Sequence, residues 1–215
     1  MTRSEVARRI MEIGIVPVVR ASSPEHAMEA ARAVCAGGIP IIELTMTVPG
    51  AIDVIRELKR SIDGSVLIGA GTVLDAKTAA QCLEAGAEFL VSPGFDRATV
   101  KFAKREGTLI MAGALTPTEV IAAWYAGADF VKIFPCGNVG GPSYIRALKA
   151  ALPQIPMVPT GGVNSATAAE YLQAGACALG IGGELVSGNS QRITEAARQY
   201  VAIVQAARSS APGSE

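Results

Sequence analysis

The sequence offers a single histidine, His26, beside Pro24-Glu25 at the expected start of a helix. With no second imidazole and no cysteine cluster, a zinc site of the usual nitrogen and sulfur kind has no ligand set. Histidine-based acid–base catalysis has little to work with either. The four cysteines, Cys35, Cys82, Cys136 and Cys177, lie far apart with no CxxC pair, a usage that fits free thiols in a reducing cytoplasm. Long hydrophobic runs are missing as well: Gly or Pro breaks each one before it reaches the length of a membrane span. Met1 to Ile13 mixes charged and apolar residues and lacks the hydrophobic region and cleavage site of a secretory signal. Nineteen Lys and Arg balance nineteen Asp and Glu, so neither nucleic acid nor a membrane surface is expected as a partner. Lys, Glu, Asp, Tyr and Cys are left to carry any chemistry.

What is there is a regular alternation. Met1 to Ile13 reads as an amphipathic helix with Val6, Ile10 and Ile13 on one side. After it, strands are expected at Ile15–Arg20, Ile39–Thr45, Val66–Gly69, Glu88–Ser92, Thr108–Ala112, the run around Phe130–Phe134, Pro156–Pro159 and Cys177–Ile181. Helices separate them, two opened by clear signals: Ser22-Ser23-Pro24-Glu25, and the capping box Thr116-Pro117-Thr118-Glu119. The last helix is expected over Gln191–Ala207. The motif Ala-Gly-small recurs at 36–38, 85–87, 126–128 and 174–176, each time before an even-numbered strand, where its Gly suits a left-handed helix cap. Eight short strands alternating with helices imply a parallel sheet covered by helices, and eight units imply closure into a (β/α)8 barrel with an extra N-terminal helix. An open doubly wound sheet is the rival. One domain over residues 1–208 is expected, followed by a frayed tail over 209–215.

Within that frame the polar residues stand out. Strand alternation puts Phe130, Lys132 and Phe134 on one face and Val131 and Ile133 on the other, so Lys132 sits in an apolar, two-sided strand. A lysine there must reach water, meet an anion or sit partly uncharged, and in the last case it is a nucleophile. Glu43 has the same setting, sharing a face with Ile41 and Thr45. Barrel active sites lie at the carboxyl ends of the strands, where Arg20, Glu43, Thr72, Lys132 and Thr160 all fall. A buried Glu43–Lys132 ion pair that merely holds the mouth together is the structural alternative. Gly161-Gly162 and Gly182-Gly183 follow strands seven and eight, the usual place of a phosphate site built from backbone amides in such barrels, although tight turns use the same residues.

Glu43-Leu44-Thr45, Gly69-Ala70-Gly71-Thr72-Val73, Val91-Ser92-Pro93-Gly94, Leu115 to Glu119, Val131 to Pro135 and Pro159 to Val163 resemble, in order, the landmarks of the 2-keto-3-deoxy-6-phosphogluconate (KDPG) aldolase family. The resemblance runs from Ile15 to about Val204. It implies a (β/α)8 barrel, usually a homotrimer, that uses no cofactor or metal. Such an enzyme reversibly cleaves a 2-keto-3-deoxy-6-phospho sugar acid to pyruvate and glyceraldehyde 3-phosphate. By the family's motif Lys132 is the Schiff-base lysine and Glu43 the acid/base. Thr72 with a cation holds the pyruvate carboxylate, and Pro93 and Phe134 line the pocket.

The chain departs from the family pattern in two places. Some members carry an Arg where this chain has Thr47; others place one at the end of the first strand, where Arg20 stands, so the carboxylate is assigned to Arg20. After strand eight many members have a serine that helps bind phosphate, whereas this chain has Gly183 followed by Glu184. The phosphate end is then left to backbone amides around Thr160, Gly161, Gly162, Gly182 and Gly183. Aldolases for the galactonate epimer, for 4-hydroxy-2-oxoglutarate or for a non-phosphorylated acid are the neighbouring alternatives, and Gly141-Pro142-Ser143-Tyr144-Ile145 resembles the galactonate branch. A sugar-phosphate epimerase or isomerase, or a non-enzymatic scaffold, would share the barrel without needing the lysine.

Overall fold

The computed structural model describes residues 1–62 and 64–209. The chain opens with α1 (Arg3–Ile13) and β1 (Ile15–Val19), then α2 (Pro24–Ala36), β2 (Ile41–Thr45), α3 (Ala51–Ser61) and β3 (Leu67–Gly71). It continues through α4 (Ala76–Glu84), β4 (Phe89–Val91), α5 (Arg97–Arg105), β5 (Leu109–Ala114), α6 (Pro117–Ala126) and β6 (Phe130–Ile133). A 3-10 turn at Cys136–Val139 leads to α7 (Pro142–Ala151), β7 (Met157–Pro159), α8 (Ala168–Gln173), β8 (Leu179–Ile181), α9 (Gly183–Val186) and α10 (Ser190–Ser209).

All eight strands are parallel. From β1 to β7 each pairs with the next in sequence, and β1 also pairs with β8. Just beyond β7, Thr160 makes a parallel bridge to Gly180 of β8, which brings the last two strands together and rules out the open doubly wound arrangement. Every strand residue is buried, because helices cover the outer face and side chains fill the inner one.

Two apolar clusters follow from the strand alternation. Outward-facing residues such as Ile42, Leu44, Val131 and Ile133 pack under the helices. Inward-facing ones, among them Val16, Ile41, Leu67, Phe89, Met111, Phe130 and Val158, fill the lower barrel. Val6 and Ile10 of α1 belong to this inner cluster, so the first helix stoppers the amino-terminal end of the barrel. Its place is fixed by Arg3, whose Nε lies 2.5 Å from Asp129 Oδ1, while Asp129 Oδ2 accepts from the Ile110 amide at 2.9 Å.

Several expectations need correction. The third strand runs to Gly71, two residues past the expected Gly69, and the fifth to Ala114: small residues there give no alternation from which to read an end. The second strand begins at Ile41, because Pro40 offers its carbonyl to Leu67 but has no amide. In the repeated Ala-Gly-small motif, Gly86, Gly127 and Gly175 have φ near +100°, but Gly37 has φ −81° and Gly38 is the left-handed residue of that copy. Gly37 serves close packing instead: a Cβ there would lie 2.3 Å from that of Ala197 in α10. The helix that the pattern after Val163 implies from Ser165 to Ala174 is shorter, Ala168–Gln173, and α9 and the 3-10 turn were not expected. Ser209, assigned to the tail, ends α10, and the rest of the expected tail, 210–215, lies outside the described residues.

Candidate active site

β6 delivers Lys132 and β2 delivers Glu43 to the barrel interior, above the apolar filling. Lys132 Nζ lies 3.4 Å from Glu43 Oε1, and the two residues are only 3% and 2% exposed. Neighbouring glycines make the room. Gly71, next to β2, has no side chain, and a Cβ there would come within 2.2 Å of Glu43 Oε1. Gly113 stands in register with Lys132 on β5, and a Cβ there would meet the Pro93 carbonyl group at 2.2–2.3 Å. The loop that carries Pro93 therefore folds in against the strand beside the lysine. Ser92 Oγ pins it by donating to the Gly94 carbonyl (2.8 Å) and accepting from the Gly113 amide (3.3 Å).

Phe134 forms the upper wall. Its ring centroid lies 5.5 Å from Lys132 Nζ, within cation–π range. A cis peptide joins it to Pro135, and Gly161 comes so close that a Cβ there would touch the ring at 3.2 Å. The loops after β6 and β7 are laced by Cys136 N to Thr160 O (2.9 Å) and Gly137 N to Gly161 O (2.8 Å). Thr72 lies just past β3 with φ +58°, a left-handed conformation uncommon for threonine and held by the flanking bonds Met46 N to Gly71 O and Val73 N to Val91 O.

The mouth opens into a cavity of about 300 Å³ whose wall includes Arg20, Phe134, Thr160, Gly161, Gly162, Gly182, Gly183 and Glu184. The two glycine pairs therefore do converge, as their places after β7 and β8 imply. Arg20 is exposed and also borders a second cavity of about 540 Å³, lined by Ser22, His26 and Asn189 among others. Thus Lys132, Glu43, Phe134 and Pro93 gather at one point, while Arg20, Thr160 and the glycines form the outer rim.

One feature of the rim escaped sequence reasoning. The amides that open α8 are already engaged: Asn164 Oδ1 accepts from Ala166 N (3.1 Å) and Thr167 N (3.0 Å), Thr167 Oγ1 from Asn164 N (3.2 Å), and Glu184 Oε1 from Ser165 N (3.2 Å). Hydrogen bonds from Ser165, its side chain first, hold the Glu184 carboxyl below the usual range. The Asn-Ser-x-Thr pattern after a glycine pair was the available signal for this self-capped turn. Cys136, whose place just after Pro135 puts it near the mouth in the sequence as well, is buried, and desolvation pushes its thiol up to about 11, so it is no nucleophile at neutral pH.

The model of the family described as Aldolase: KDPG and KHG aldolase matches residues 6–202. The chain belongs to the KDPG and KHG aldolase family. It is 35% identical over 204 residues to a KHG/KDPG aldolase of Escherichia coli, covering 91% of this chain and 94% of that one. A probable 2-dehydro-3-deoxy-6-phosphogalactonate aldolase of Rhizobium meliloti is 34% identical over 81% of this chain and 82% of its own. Among solved structures, the Legionella pneumophila KDPG aldolase superposes with a TM-score of 0.83 at 29% identity, covering 89% and 96% of the two chains. That structure holds pyruvate captured as a covalent carbinolamine intermediate. Family membership makes this chain an aldolase, a carbon–carbon lyase.

Proposed function

We propose that the protein is a class I aldolase that cleaves a 2-keto-3-deoxy sugar acid of the KDPG type to pyruvate and an aldehyde, glyceraldehyde 3-phosphate when the substrate is KDPG itself. By the same resemblance it acts as a homotrimer in the cytoplasm. The observation that carries the chemistry is the buried Lys132 amine 3.4 Å from the Glu43 carboxyl at the carboxyl end of the barrel. The carbinolamine captured in the Legionella pneumophila relative supports it.

Lys132 in its uncharged form attacks the C2 ketone; the carbinolamine loses water to give an iminium that draws electrons from C3. Glu43 takes the C4 hydroxyl proton as the C3–C4 bond breaks and the aldehyde forms. It then helps return a proton to C3 of the enamine, and water releases pyruvate from the lysine. One carboxyl group performs both transfers, in keeping with the absence of another acidic side chain in contact with Lys132 among the described residues. Thr72 and Arg20 orient the keto acid, and Pro93 and Phe134 exclude water around the iminium. A galactonate epimer is the second reading, favoured by the Rhizobium meliloti relative and by the Gly141–Ile145 segment that opens α7.

Borohydride added with pyruvate is expected to leave a reduced adduct on Lys132, located by peptide mass spectrometry. An adduct on another lysine, or none, removes this mechanism.

A further inference from the structure

Glu184 is a carboxylate placed where this barrel would otherwise receive an anion. It lines the 300 Å³ cavity beyond Phe134 together with Gly161, Gly162 and Gly183. Its Oε1 accepts the Ser165 amide at 3.2 Å, and the next two amides of that turn are spent on Asn164 Oδ1. The turn after β7 thus spends three successive amides on the protein's own acceptors.

The charges facing this end are few. Arg20 and Glu184 are the charged residues in the cavity wall, one of each sign. The nearby Arg192 turns its guanidinium to the backbone carbonyls of Glu184 and Ser187. The buried Tyr200 hydroxyl interacts with the Glu184 carboxyl and helps to hold its negative charge. A dianion entering here meets the uncharged backbone of the two glycine pairs and a wall whose two charges, Arg20 and Glu184, cancel, with the Glu184 carboxylate repelling it directly. A hydroxyl fits better: it can donate to the Glu184 carboxylate and accept from a backbone amide.

From this juxtaposition we infer that Glu184 is a specificity-determining residue, which makes the distal end of the site select an uncharged hydroxyl terminus over a phosphate. The inference rests on the aldolase reading above and narrows its substrate class to 2-keto-3-deoxy acids without a terminal phosphate. It needs no change in the chemistry at Lys132. Only the remote end of the substrate is discriminated, so the effect belongs in kcat/KM for one substrate relative to another.

The test is pyruvate release from 2-keto-3-deoxygluconate and from its 6-phosphate, by the wild type, Glu184→Gln and Glu184→Ser. The wild type is expected to show the higher kcat/KM on the unphosphorylated acid. Both substitutions should raise the ratio of phosphorylated to unphosphorylated kcat/KM by roughly tenfold or more, as removal of a like charge at close range implies. A wild type that favours the phosphate, or a ratio that neither substitution moves, overturns the inference. Failure of the borohydride adduct at Lys132 would instead overturn the aldolase reading, so the two failures are separable.

Discussion

At Gly71 an added Cβ would lie 2.2 Å from Glu43 Oε1, 2.7 Å from its Cγ and 2.8 Å from its Cδ. The carboxyl group therefore occupies space that any other residue at 71 would claim. Gly71→Ala should push Glu43 away from Lys132 while leaving the lysine in place. We expect kcat to fall about a hundredfold, the scale of a misplaced acid/base group. Borohydride trapping of pyruvate on Lys132 should persist, and mass spectrometry beside steady-state kinetics reads both outcomes. At this same scale the sequence was most informative. Lys132 and Glu43 were legible because a charged residue in a strand buried on both faces needs a reason. The spent amide of Ser165 was not legible, since it depends on Glu184 reaching across from the loop after a different strand, whereas those of 166 and 167 follow from the local Asn164.

Among the elements, α6 shows how a local signal and a measurable titration meet. Thr116 Oγ1 accepts the Glu119 amide, and Glu119 Oε2 accepts the amides of Thr116 and Leu115, each at 2.8 Å. Those backbone bonds, Thr116 first, hold Glu119 below its ordinary value of 4.5. A carboxyl whose folded-state value is depressed binds fewer protons folded than unfolded near that pH. Its stabilisation is therefore present above 4.5 and lost as pH falls through the folded-state value. Glu119→Gln should unfold at a slightly lower temperature than wild type at pH 7, and the two melting curves should converge in acid below that value. Equal differences at both pH values would show that the charge contributes nothing. The capping box was plain in the sequence because both its residues and their spacing are local. The short α9 was not, since Gly-Glu-Leu-Val is too brief to show a period and is held by packing against β1 and α10.

Across the whole molecule, the barrel divides into a polar mouth and an apolar base. Ile10 of α1 is fully buried among inward-facing side chains that include Phe89 and Phe130. Ile10→Ala should cost about 2–5 kcal/mol, read as a shift in the denaturant midpoint. Because α1 lies at the end opposite Lys132, kcat of the folded fraction should stay near the wild-type value. The closed ring itself was only half legible. Eight alternating units and buried strands follow from pattern, but the Thr160–Gly180 bridge that closes them joins residues twenty positions apart, and no periodicity reports it.

The stoppered base has a consequence for traffic. A vessel with one opening fixes the sequence in which its contents leave. On the proposed chemistry the fragment bonded to Lys132 lies deepest and the aldehyde lies above it, on the way out. The aldehyde must depart first, and pyruvate can leave only after it. In the synthetic direction pyruvate must already be seated before the aldehyde arrives. The order imposed by the covalent bond to Lys132 and the order imposed by a base closed by α1 therefore coincide.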